Sequence, residues 1–271
     1  MSTPIHCLYI TTSTGQAHHC HPQHFVKAAA GSQLTILESF HDLEEATPSF
    51  INAATHIEVA ANAHLHYYRL QGAGRESLVV NNTIVRQHRD SVFSHYALDL
   101  GGKVVRNNLA ATHLDSNLET HYYGVYFGNG NQHIDNQTFI DHAMPHCQSN
   151  ELYKGIMTDY ARGVFNGKVT VRQDAQKTNA FQQNSSLVLS ANAIMDTKPQ
   201  LEIFADDVRC SHGATVGQLD ESSVFYLRSR GLSPANARRL LQEAFLGEVV
   251  DNMPHEAIRT YAHQLITDKF A

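Results

Sequence analysis

Apolar and polar residues alternate with a period of two over most of this chain, from about residue 33 to 209. Leu34, Ile36 and Glu38 alternate with Thr35, Leu37 and Ser39. Ile57, Val59, Ala61, Ala63, Leu65 and Tyr67 alternate with His56, Glu58, Ala60, Asn62, His64 and His66. Leu118, Thr120, Tyr122, Gly124 and Tyr126 continue the habit, and shorter runs follow at 164–165, 169–171, 187–189 and 201–204. Successive side chains of a strand point to opposite faces, so the pattern predicts many half-buried β-strands. Between them stand Asn81-Asn82, Gly101-Gly102, Asn107-Asn108, Gly128-Asn129-Gly130-Asn131, Asn166-Gly167 and Gln182-Gln183-Asn184. Asn and Gly tolerate left-handed backbone angles, which predicts tight corners at these places. Many strands with close corners fit a sandwich, a barrel or a solenoid. Repeated Asn-bearing corners favour stacked rungs, although no strict repeat is present.

The pattern changes after Asp220. Ser233 reads as a helix N-cap, with Pro234 at the first helical position. Ala237, Leu240, Leu241, Ala244, Phe245 and Val249 then recur at spacings of three and four, which predicts an amphipathic helix. A second begins at Met253-Pro254, with Ile258, Tyr261, Ala262, Leu265 and Ile266 on one face. The chain divides accordingly into a β core at 1–221 and a helical part at 222–271. Such helices can cap the end of a solenoid, dock another protein, or do both.

Bulk properties narrow the function. The chain has 271 residues and a formal net charge of −6. A nucleic-acid binder would usually be basic, so that class is disfavoured. No apolar run is long enough to span a membrane. The first residues, MSTPIHCLYITTSTG, lack the basic and apolar parts of a secretory signal. Cys7, Cys20, Cys147 and Cys210 are irregularly spaced, which suits reduced thiols and a cytoplasmic location. The nineteen histidines are scattered, and most are predicted to face outward from strands. The densest group, His18, His19, Cys20 and His21 with His24, lies in a loop-like stretch and is either a transition-metal ligand set or incidental.

Several chemistries lack their motif. There is no phosphate-binding Gly-x4-Gly-Lys-Ser/Thr loop, no Gly-x-Ser-x-Gly elbow and no Cys-x2-Cys pair. His142, His146 and Cys147 form a second tempting cluster. Pro145 among them argues for a loop or strand start, and a structural role in the wall is the plainer reading. The most informative stretch is 206–220, DDVRCSHGATVGQLD. On a strand, Cys210 and His212 would share a face, and thiolate with imidazole suits a metal of intermediate or soft character. Two ligands do not complete a site, so the pair is either shared with a partner or an inert buried cysteine beside a histidine.

That stretch is followed by SVFYLRSRG at 223–231. Together with Gly101-Gly102-Lys103 to Asn108, Pro145-His146-Cys147 and Leu152-Tyr153-Lys154-Gly155, it resembles the SufD family. These are non-ATPase scaffold subunits of the Suf iron–sulfur cluster assembly system. The resemblance runs from about residue 20 to the C-terminus. It implies a mainly β fold, a right-handed parallel β-helix (solenoid) with a C-terminal α-helical segment. It implies a heterodimer with SufB through the β-helix, and docking of the SufC ATPase on roughly 224–250. Phe225, Tyr226, Arg230, Leu240, Leu241 and Phe245 are the residues expected to touch that partner. His212 corresponds to a histidine that joins a SufB cysteine at an interfacial assembly site, with Cys210 as a secondary metal ligand. No cysteine lies between Cys147 and Cys210, where SufB carries its essential thiol, which favours the SufD side.

The resemblance therefore implies a scaffold and not an enzyme. No cofactor is expected in the isolated chain, and an iron–sulfur cluster would be present transiently in the complex. ATP-driven SufC dimerisation would deform the heterodimer and expose its site. The helical domain that precedes the β-helix in the family has no expected counterpart here. A homodimer of the isolated chain stays open. Two rival readings are a β-solenoid carbohydrate-active enzyme and a histidine-rich metal-binding protein. The first needs carboxylates clustered along a groove, and the late adjacent pairs, Asp206-Asp207 and Asp220-Glu221, would diverge on a strand.

Overall fold

The computed structural model describes residues 3–12, 17–43 and 48–270. In chain order the elements are β1 (Ile5–Thr11), β2 (His18–Cys20), β3 (Gln23–Ala28), β4 (Gln33–Asp42), β5 (Ser49–Val59), β6 (His64–Gly72), β7 (Leu78–Gln87), β8 (Val92–Asp99), β9 (Val104–His113), β10 (Glu119–Gly128), β11 (His133–His142), β12 (Gln148–Met157), β13 (Arg162–Val171), β14 (Asn179–Val188), β15 (Ile194–Ile203), β16 (Arg209–Gly217), α1 (Glu221–Ser229), α2 (Pro234–Val250) and α3 (Glu256–Lys269). Strands begin at Ile5, well before the onset that alternation alone suggested. From β4 onward the chain alternates between two parallel sheets. One runs β1-β4-β6-β8-β10-β12-β14-β16, the other β15-β13-β11-β9-β7-β5-β2, with β3 also on β5. The result is a parallel β-solenoid of about seven turns.

Register fixes which residues stack. Ile5, Ile36, Tyr67, His95, Tyr122, Glu151, Gln182 and His212 hold one position on eight successive rungs. Neighbours in that file are 27 to 31 residues apart in the chain. The uneven spacing explains why no strict repeat is visible in the sequence. Inward residues such as Leu65, Phe93, Tyr122, Tyr126 and Phe165 build the core within the coil.

Four of the predicted corners are not corners. Gly102 and Gly130 do turn the chain, both at positive φ. Asn81-Asn82, Asn107-Asn108, Asn166-Gly167 and Gln182-Gln183-Asn184 instead lie inside β7, β9, β13 and β14. Stacked amides satisfy one another there. Asn81 Nδ2 donates to Asn107 Oδ1 at 2.9 Å, and Asn107 Nδ2 to Asn136 Oδ1 at 2.8 Å. Beside that ladder, Asn108 donates to Asn82 and Asn166 to Gln137, both at 2.8 Å. A side-chain ladder of this kind favours the stacked parallel strand over the turn that an isolated asparagine prefers.

Most histidines are exposed or half-buried as predicted, and three are exceptions: His95, His113 and His142 are buried inside the coil. Burial disfavours their charged forms and lowers all three pKa values, that of His142 to about 4.

The helices α2 and α3 lie on the outer face of the sheet that contains β10 and β12. Leu246, Val249, Val250, Ile258 and Ile266 cover Tyr68, Leu70, Tyr96, Val125, Phe127 and Ile156. Strands under the helices thus have both faces buried, and alternation fades in the second half of β8, β10 and β12. Ser233 caps α2 by accepting from Asn236 N, with Pro234 at the helix start, as the sequence predicts. α1, capped by Asp220, is an additional short helix whose side chains are largely exposed. Among the described residues no helix is long and apolar enough to cross a membrane.

Candidate functional site

Cys210 and His212 lie on β16, the last strand of its sheet, which pairs with β14 alone. Arg209, Ser211 and every residue from His212 to Gly217 are exposed. Register places Cys210 on Ala180 and His212 on Gln182, both inward-facing residues of β14. Cys210 and His212 therefore share the face that would be interior if another rung followed. Their α-carbons are about 7 Å apart along the strand. Cys210 is half-buried against the end of the core, and burial raises its thiol pKa. At neutral pH it is a thiol that must lose its proton before it can bind a metal.

His212 heads a polar file that runs back into the coil. Gln182 Nε2 donates to Glu151 Oε2 at 2.6 Å. Glu151 is buried, and desolvation raises its carboxyl pKa to about 7, against lowering by Thr138 and Gln182 hydrogen bonds. Gln182 Oε1 and Glu151 Oε1 are buried without a hydrogen-bond partner among the described residues. A cavity of about 470 Å³ opens here, lined by Glu151, Gln182, Ser211, His212, Thr215 and Glu248 among others. Glu248 on α2 pairs with Lys154 on β12, whose ammonium also lies 4.5 Å from the centre of the Phe245 ring. Sequence reasoning named Gln182 only as a corner residue and did not single out Glu151. Their position one and two rungs below His212 is visible only once strands are registered.

Comparison with known proteins agrees with this architecture. Residues 9–245 match the family profile described as SUF system FeS cluster assembly, SufBD core domain. The chain belongs to the SufBD core family. It is 36% identical to a SufBD family iron–sulfur cluster assembly protein of Synechocystis, over 98% of this chain and 60% of that protein. It is 36% identical to the iron–sulfur cluster assembly protein SufD of Escherichia coli, over 94% and 61% respectively. Protein ABCI7, chloroplastic, of Arabidopsis thaliana is 32% identical over 97% of this chain and 56% of its own length. The chain thus spans about three fifths of the length of these curated relatives, and within the family it is SufD-like.

On this SufBD core, the residues expected to contact a partner separate into two groups. Phe225 and Tyr226 on α1 are 71% and 56% exposed, and Leu240 on α2 is exposed beside them. Tyr226, Leu227, Leu240, Leu241 and Ala244 line an open, largely apolar groove between α1 and α2. Arg230 stacks 5.2 Å from the centre of the Tyr226 ring, orienting it. Phe245 belongs elsewhere: it turns toward Lys154 and the sheet.

The two other metal-ligand clusters of the sequence fare differently. Among the described residues, His18, His19, Cys20, His21 and His24 bring no three donors together; His24 Nε2 is 2.5 Å from Tyr9 Oη. His18, His19 and Cys20 form β2 and are not in a loop. His146 points to the surface at a left-handed corner, while His142 and Cys147 point inward and meet His113.

Proposed function

We propose that this chain is the SufD-type half of a scaffold on which iron–sulfur clusters are assembled. It pairs with SufB through the open end at β15 and β16, docks one SufC ATPase on the α1–α2 groove, and lends His212 to a shared site. The observation that carries this reading is the placement of His212: exposed, on an edge strand, on the face that a further rung would cover. An unpaired strand edge is a template for strand addition, and natural proteins cover such edges or use them. A partner's rung would put its own side chains opposite Cys210 and His212. Iron, as substrate, would then meet thiolate and imidazole together, a ligand combination known in cluster chemistry. The unpartnered Gln182 Oε1 and Glu151 Oε1 directly below could accept hydrogen bonds from groups that arrive with the partner.

This is a scaffold role with no catalytic residue of its own, and the cytoplasm is its proposed setting. Exposed Phe225, Tyr226 and Leu240 support docking because aromatic and aliphatic side chains grouped beside an arginine are common anchors of protein interfaces. The test is co-expression with SufB and SufC of the same source. The chain should co-purify with both. Leu240→Asp should lose SufC and keep SufB. His212→Ala should keep both partners and the folded spectrum, yet lower cluster yield at least tenfold. Unchanged cluster yield in His212→Ala would refute the role of the imidazole, and SufC retained by Leu240→Asp would refute the groove.

A further inference from the structure

A second constellation lies inside the coil, remote in register from the β16 file. His113 ends β9 and His142 ends β11, in register on adjacent rungs, and Cys147 immediately precedes β12. All three are fully buried. One ring nitrogen from each histidine and Cys147 Sγ lie within 4.8 Å of one another. The imidazole planes meet at 85°, with ring centres 4.4 Å apart.

Hydrogen bonding decides which nitrogens are free. Thr120 donates its hydroxyl proton to Gln87 Oε1 at 2.5 Å, so toward His113 it must accept. His113 Nε2, 2.7 Å from Thr120 Oγ1, therefore carries the ring proton, and Nδ1 keeps a bare lone pair. His142 Nε2 is likewise engaged, 2.9 Å from Ser149 Oγ. Both Nδ1 atoms are buried and have no hydrogen-bond partner among the described residues. Two buried, unpartnered ring nitrogens on touching imidazoles are costly, and an ion that both can bind relieves them. A hydroxyl partner on the far nitrogen is also the arrangement that orients metal-bound histidines.

We propose that His113 Nδ1, His142 Nδ1 and Cys147 Sγ form a binding site for one monovalent copper ion. Charge selects the ion. Cu(I) with one thiolate and two neutral imidazoles has no net charge, whereas Zn(II) or Fe(II) would leave a positive charge in a dry interior. Of the carboxylates near the site, Asp141 is already bidentate to Arg172 at 2.8 and 2.6 Å, and Asp115 faces His88 at 3.6 Å on a side chain exposed to solvent. Three donors also satisfy Cu(I), while structural zinc takes four. Around an ion with bonds of about 2.0–2.3 Å, trigonal donors stand roughly 3.5–4 Å apart, so side chains need close by only about 1 Å. Binding forms two Cu–N bonds and one Cu–S bond, releases the thiol proton to solvent, and changes no oxidation state. Because no donor is open to water, the ion enters as the chain folds.

The test uses the full chain with Cys7, Cys20 and Cys210 changed to serine, produced with copper present and washed with a strong Cu(I) chelator. It should retain one copper per chain. X-ray absorption should show a Cu(I) edge and a shell of one sulfur and two nitrogens. Adding Cys147→Ala, or His113→Gln as a second variant, should cut retained copper at least tenfold. Circular dichroism identifies variants that remain folded. The absorption shell of the unmutated site stands even where a variant does not fold. A parent without copper, a shell lacking sulfur, copper undiminished in folded Cys147→Ala, or preferential retention of zinc or iron from an equimolar mixture would each overturn the proposal.

Discussion

Glu151 is a carboxyl group that the fold keeps away from water, and this has a measurable sign. Its folded pKa of about 7 lies above its ordinary value of 4.5 because burial penalises the anion. Between those two pH values the native protein holds a proton that the unfolded chain has lost. Stability should therefore fall as pH rises from about 4.5 to 7 and level off above, by about 3 kcal/mol in all. Buried His95, His113 and His142 act oppositely, since their unfolded forms take up protons below about 6.5. Tyr122 and Tyr153 sense the Glu151 charge, and burial keeps both protonated well beyond this range. The difference between wild type and Glu151→Gln isolates the carboxyl. Urea midpoints at pH 5 and pH 8 should show the variant gaining about 2.5 kcal/mol relative to wild type on going to the higher pH, since part of the change precedes pH 5. Parallel curves for the two proteins would mean that Glu151 is not desolvated. The sequence showed that Tyr122 and its neighbours alternate, because alternation is local. It could not show that Glu151 lies below Gln182 and His212, because that depends on register across turns of unequal length. His113 was hidden for the same reason: its partner His142 is a whole turn away.

Between neighbouring strands, side-chain volume is traded rung by rung. Gly124 of β10 pairs with Tyr153 of β12, and Tyr126 of β10 pairs with Gly155 of β12. A Cβ on Gly155 would stand 2.0 Å from the Tyr126 ring, and one on Gly124 would stand 2.1 Å from the Tyr153 ring. Neither ring can swing away cheaply. Tyr126 is fully buried, and its hydroxyl is held by Asn184 and Ser186 of β14, two rungs on, at 3.1 and 3.0 Å. Gly155→Ala should therefore cost about 1–3 kcal/mol in urea unfolding, the usual penalty for overpacking. Tyr126→Leu should recover part of that loss in the double variant, because it removes the atoms that clash. A Gly155→Ala protein as stable as wild type would show that these rungs are looser than their register implies. The amide ladders follow the same logic. Asn81, Asn107 and Asn136 look like turn residues one at a time, and only stacking makes them strand residues. The helical part was more legible, since caps and three-four spacing are local signals. Its docking onto the side of the solenoid was not, because the sheet face it covers comes from five different rungs.

A solenoid is nearly one-dimensional, so each rung leans on two neighbours except at the ends. α2 and α3 brace one flank of the coil and leave β16 exposed along almost its whole length. The two ends differ in chemistry. β1 presents Ile5, Leu8 and Ile10 to solvent, all large and apolar, whereas β16 presents Ser211, His212 and Thr215, with Val216 its one exposed large apolar residue. If SufB joins at the β16 end, its effect on hydrogen exchange must be local. In the isolated chain, amides of β15 and β16 should exchange faster than those of β10 to β13, because end rungs open without disturbing the middle. Adding SufB should slow exchange at β15 and β16 by at least tenfold and leave β1 unchanged. SufC added alone should instead protect α1 and the first turns of α2. Slowing confined to β1 would place the heterodimer at the opposite end and remove His212 from the assembly site. Slowing spread evenly over all rungs would mean that SufB stabilises the whole coil without adding a rung, and strand addition at β16 would then be wrong.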